Sequence, residues 1–126
     1  MTVCVDSSLL LYDGWHETAV DLWKSPIQIS DRLTTNNIVL DSLTALQDKR
    51  GDSVKILFDC SYRDDTLMQY QSYIDSGKME KTKELGDKFQ CDLKEMVNGL
   101  QTNIPNVGIY IWRCGEDSST HNTQHT

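Results

Sequence analysis

Basic residues are scarce: 12 lysines and arginines face 19 aspartates and glutamates, a formal charge of −7 over 126 residues. A surface of that sign repels phosphate backbones, which argues against general nucleic-acid binding but leaves room for a local cationic pocket. Long apolar runs are missing too, and nothing approaches the ~20 residues of a membrane-crossing helix, so no transmembrane segment is expected. The start, Met1-Thr2-Val3-Cys4-Val5-Asp6, has no basic stretch ahead of an apolar one and does not read as a signal peptide. Cys-x-x-Cys pairs are absent: the four cysteines, Cys4, Cys60, Cys91 and Cys114, stand far apart. They could form two bridges in three ways, but nothing points to secretion. The reading is reduced thiols in a cytoplasmic protein, packing as small apolar side chains. No glycine-rich loop joins a strand to a helix, since Gly14 lacks partners at the needed spacing, and no internal repeat is visible.

What is present suffices for one domain with its own core. The organising stretch is Val54-Lys55-Ile56-Leu57-Phe58-Asp59, opened by Gly51-Asp52-Ser53 and closed by Cys60-Ser61-Tyr62-Arg63. A short apolar run between turn residues reads as a central strand buried on both faces. Asn36 and Asn37 offer caps to a preceding helix bearing Val39, Leu43 and Leu46, with Lys49 and Arg50 near its negative end and Gly51 as a left-handed cap. Asp64 and Asp65 cap a following helix that breaks at Ser76-Gly77, and a third helix spans residues 79–100 with Leu85, Phe89, Leu93, Met96, Val97 and Leu100 on one stripe. Gly86 inside it costs about 1 kcal/mol against alanine. Residues 107–112 read as a third strand. The first strand is placed in residues 3–12, best in residues 9–12. Residues 15–32 are the least regular, with a short helical turn near Ala19 to Trp23, an end at Pro26 and an edge strand at Ile27 and Ile29. The expected fold class is α/β, a small and largely parallel sheet with helices packed on it in a single domain of residues 1–115. Residues 116–126 read as a polar, disordered tail.

In an open parallel sheet, ligands bind beyond the carboxyl ends of the strands. That rule selects Asp13 to His16 after the first strand, Asp59 to Arg63 after the second, and Arg113, Cys114 and the tail histidines after the third. Asp59 is a candidate site acid or a turn cap with Ser61. Arg63 and Arg113 are candidate phosphate holders or ordinary surface cations. Cys60 and Cys114 would need an activating base to be nucleophiles, and only His16 lies outside the tail; packing is the simpler role. Trp15, Trp23 and Trp112 line a pocket or fill a core. His121 and His125 would share a helix face but have no third metal ligand nearby. No metal and no cofactor is expected.

The order of features resembles one half of the phospholipase D superfamily: strand, tryptophan-bearing loop, helix, acid-terminated strand, helical segment, strand, polar loop, then a His-x-Lys-x4-Asp motif. Residues 9–15, 37–50, 54–59 and 107–112 are similar to those parts in order, and His125-Thr126 stands where the motif begins. The resemblance implies the amino-terminal portion of a phosphodiesterase, truncated at its catalytic motif, with His125 catalytic and a phosphodiester as substrate. Asp59, Arg113 and Trp15 are the substrate-binding candidates. The motif lysine and aspartate lie beyond the sequence, so the chain alone is expected to be inactive. The alternative is a non-catalytic α/β interaction module, as a homodimer or in a larger assembly, using its outer strands or the helix of residues 85–100. A third reading is a small hydrolase or redox domain built on Asp59, Cys60 or Cys114.

Overall fold

The computed structural model describes residues 1–125. Three strands, β1 (Thr2–Asp6), β2 (Lys55–Ser61) and β3 (Gly108–Trp112), form one sheet in the order β1-β2-β3. Both pairings are parallel, with Val5 beside Phe58 and Phe58 beside Ile109. Parallel neighbours need long crossovers. The first contains three short turns, α1 (Trp15–Glu17), a π turn (Thr18–Leu22) and α2 (Ile27–Ser30), and then the regular helix α3 (Ile38–Arg50). The second contains α4 (Asp65–Ser76) and α5 (Lys83–Asn103). The fold is the single small α/β domain expected.

Local chemistry explains the helix ends. Asn37 Oδ1 accepts from Leu40 N at 3.0 Å, Asp64 Oδ1 from Leu67 N at 2.8 Å, and Thr82 Oγ1 from Leu85 N at 3.1 Å. Each bond satisfies an otherwise orphaned N–H in a first turn. Gly77 ends α4 at φ 79, ψ 4, the left-handed cap that glycine adopts without strain. Gly51 also has a positive φ, but at ψ −131 it is not the left-handed cap expected.

The core lies on one side of the sheet. Ile56, Phe58 and Cys60 of β2 meet Leu43 of α3, Met68 of α4, and Phe89, Leu93, Met96 and Leu100 of α5. Each such burial contributes roughly 2 kcal/mol. On the opposite face Cys4, Leu57 and Tyr110 are exposed. The central strand is therefore buried on one face, not two, because every helix that joins the core comes from the same side.

Two elements depart from the sequence reading. The first strand is Thr2–Asp6, not residues 9–12. Ser7, at φ 50, turns the chain out of the sheet, and Leu9 enters the core from a loop. Leu11 is held by a side chain rather than a strand: its N–H donates to Gln71 Oε1 at 2.7 Å and its carbonyl accepts from Gln71 Nε2 at 2.8 Å. Ile27 and Ile29 are not an edge strand but part of α2, which follows Pro26, and both are exposed.

Residues 116–125, read from the sequence as a disordered tail, fold back over the carboxyl ends of β2 and β3. Thr123 N donates to Arg63 O, Asp65 N to Thr123 O, and Gln124 N to Cys114 O, each at 3.0 Å. Asn122 and Thr123 are buried. Hydrogen bonds rather than apolar area hold this segment, so hydropathy does not report it.

Candidate functional site

Strand ends, the loop after β2 and the returning tail meet at the carboxyl edge of the sheet. Asp64 lies in the loop after β2 and is fully buried. One of its oxygens caps α4, and the other lies 2.6 Å from His125 Nδ1. Because a carboxylate only accepts, Nδ1 is assigned as the donor of this bond. Beneath this pair, Ser61 Oγ and Thr123 Oγ1 share a short buried hydrogen bond that fixes the tail against β2.

Asp6 ends β1 directly beside Asp59 on β2, and both lie on the helix-free face by register. Ser7 Oγ donates to Asp6 at 2.7 Å. That bond, followed by one with Asp59 and a smaller contribution from nearby His125, holds the Asp6 carboxyl below its ordinary value. Asp59 moves the other way, raised first by its bond to Asp6 and then by burial and the Asp6 charge. Two neighbouring carboxylates sharing one proton separate in this manner. The result is an imidazole on a buried acid, near two acids that stand side by side at the ends of neighbouring strands, at the place where parallel sheets bind ligands.

The remaining sequence candidates have other surroundings. Arg63 is 4% exposed and is neither a phosphate holder nor a surface cation. Its Nη1 donates to Asp87 at 2.7 Å, and its Nη2 donates to the carbonyls of Lys83 at 3.0 Å and Thr120 at 2.9 Å. It clamps the tail to the first turns of α5. Arg113 is exposed, lies 4.6 Å over the Tyr62 ring and stands 3.9 Å from Glu116. Trp15 donates to Leu10 O at 3.3 Å and packs against Tyr12 and Trp23, in the irregular crossover. Of the three substrate-binding candidates, Asp59 is the one that stands beside Asp6 at the strand ends.

His121 and His125 do not share a helix face. His121 Nδ1 lies 2.9 Å from Glu116, a bond that, ahead of the Tyr62 hydroxyl, lowers the Glu116 carboxyl. His16 bonds Ser30 O, far along the chain from either cysteine. Burial, then the charges of Asp64, Asp59 and Asp6, push the Cys60 thiol well up, so it stays protonated. Cys4, Cys91 and Cys114 are exposed rather than packed. Among the described residues no group of three or more His, Cys, Asp or Glu is placed to hold a metal.

Sequence reasoning recognised Asp64 only as a helix cap and missed Asp6 altogether. The available signals were an acid at the end of each of two parallel strands and a capping aspartate with a second, unused oxygen. Family models, curated proteins and solved structures were all compared with the chain, and none of them matches it.

Proposed function

We propose that the chain is the amino-terminal portion of a phospholipase D-like phosphodiesterase, with His125 as the reacting group. The observation that supports this is the 2.6 Å contact between His125 Nδ1 and the buried Asp64 at the carboxyl edge of the sheet. A carboxylate at Nδ1 orients the ring, selects its tautomer and stabilises positive charge as Nε2 reacts. In this reading Nε2 attacks phosphorus, the nitrogen–phosphorus bond forms as an ester oxygen leaves, and water later breaks that bond, releasing a phosphate monoester and restoring the histidine. The leaving oxygen takes a proton from a second histidine contributed by another half or subunit.

The neighbouring acids define what else the reaction needs. Asp6 and Asp59 repel a phosphodiester, Arg63 is committed to its clamp, and Arg113 stacks on Tyr62. A developing phosphorane requires fixed cations. The motif lysine that the family resemblance implies supplies one.

The test reads the transcript past the codon of Thr126 and assays the encoded protein on bis-p-nitrophenyl phosphate. A lysine directly after Thr126, an aspartate five residues beyond it, and a loss of about 10²–10⁴-fold in H125N are expected. A stop codon at that point, or undiminished turnover in H125N, would overturn the proposal.

A second reading, a non-catalytic interaction module, draws on the helix-free sheet face. Parallel sheets are ordinarily covered on both sides, yet Leu57 and Tyr110 are exposed there, Tyr110 to 68%. The stripe on α5 does not serve this reading, because Phe89, Leu93, Met96 and Leu100 are buried in the core.

A further inference from the structure

β3 pairs with β2 along one side, and among the described residues no strand pairs with its other side. Its sequence, Gly108-Ile109-Tyr110-Ile111-Trp112, contains no proline and no charge, the devices that ordinarily protect an edge. Beside that edge, between β3 and α5, runs a groove of about 410 Å³. Leu93, Val97 and Ile111 line it with apolar surface, and Lys94 and Arg113 supply its charge.

The charge is segregated. α5 carries the acids Glu84, Asp87, Asp92 and Glu95, but its groove-lining residues Gln90, Leu93, Lys94, Val97 and Asn98 include none. Lys94 makes no ion pair among the described residues. Arg113 lies over the Tyr62 ring, and its one ion pair among the described residues is the 3.9 Å approach to Glu116. A cationic notch in a chain of net charge −7 selects an anionic occupant. A small anion would match the two cations and leave the apolar lining uncovered. An extended segment matches both, because alternate side chains of a strand added to β3 fall on the same face as Ile109 and Ile111.

We infer that the outer edge of β3 and the adjoining groove form a docking site for an extended, acidic segment of a partner protein. The segment adds a fourth strand, places apolar side chains two residues apart over Val97 and Ile111, and directs carboxylates to Lys94 and Arg113. This site is independent of the phosphodiesterase reading, since neither Asp64 nor His125 lines the groove.

The experiment titrates ¹⁵N-labelled protein with a capped nine-residue peptide of alternating valine and threonine between glutamate ends. A second peptide has lysine ends, and a third titration uses inorganic phosphate alone. The glutamate peptide is expected to shift the β3 amides and to bind at least tenfold more tightly than the lysine peptide. K94E should reverse that preference, and V97D should weaken the glutamate peptide at least tenfold. K94E alters an exposed side chain, so its result stands even if V97D perturbs packing. Equal affinity for the two peptides, or no change in preference in K94E, overturns the proposal. So do phosphate-induced shifts at Lys94 and Arg113 without a β3 response to peptide. Peptide-free dimers with β3 amides protected from exchange would assign the edge to a second copy of the chain, and that also overturns it.

Discussion

Asp64 does two jobs with two oxygens, one capping α4 and one holding His125. Substitutions can separate them. Asparagine is as good a cap as aspartate, whereas alanine removes both bonds. D64A should therefore lose about 3 kcal/mol, roughly a helix cap plus a charge-assisted hydrogen bond, and D64N less than half as much, measured by urea unfolding. Equal losses in the two variants would show that the cap is not what aspartate contributes. The cysteines make a second residue-scale prediction. Cys4, Cys91 and Cys114 are exposed, and Cys60 is buried with its thiol held protonated. A thiol reagent at neutral pH should label the first three in the native protein and Cys60 only after unfolding. Fast labelling of Cys60 would revive the redox reading.

At the scale of elements, Gly86 shows how context reverses a propensity. In isolation, G86A should gain about 1 kcal/mol for α5. In the fold, a Cβ on Gly86 would collide with Asn122 Oδ1 and the Arg63 guanidinium. The clamp that holds the tail passes directly over this position, so overpacking should dominate and G86A should be destabilised by about 1–3 kcal/mol. Limited proteolysis should then cut within residues 116–125 sooner than in the parent, and a stabilised, equally resistant variant would refute the clamp. The same contrast explains what was legible in the sequence. α3, α4, α5, β2 and β3 carry periodic apolar residues that pack on one side, and their caps are local, so pattern alone locates them. Residues 9–12 misled because Leu9 is buried as loop and Leu11 is tied to Gln71, so apolar character did not mean strand. Ile27 and Ile29 alternate, yet they face solvent in a one-turn helix. The tail was invisible because Asn122 and Thr123 are buried through hydrogen bonds to residues about sixty positions away. The family resemblance singled out His125, but its contact with Asp64 follows only from the fold.

For the molecule as a whole, pH should act through its carboxyls. Asp6, Asp87, Glu116 and Asp117 are all lowered, Asp87 first by its bond to Arg63 and Asp117 first by its bond to Ser119. A group whose value is lower in the folded than in the unfolded state stabilises fully above the unfolded value, and that contribution is lost as pH falls through the folded one. Stability should thus decline as pH drops below the ordinary carboxylate range of about 4. Asp59 has the opposite sign: its contribution is present at low pH and is lost as pH rises through its raised value. D59N should therefore gain on the parent as pH rises past the usual aspartate range. Urea midpoints from pH 3 to pH 7 check both slopes, and a flat difference between D59N and the parent would contradict a shared proton.

The clamp and the His125 contact also impose an order on biosynthesis. Arg63 meets Asn122 across 59 positions, and Asp64 meets His125 across 61. A ribosome adding about 5–20 residues per second leaves both side chains without these partners for several seconds after they emerge. During that interval β1, β2 and α3 can already associate, while the edge that carries the histidine does not yet exist. The corner where the tail meets Arg63 and Asp64 is thus assembled after the elements it rests on, and a nascent chain stalled before residue 120 would present a folded scaffold with an unfinished rim.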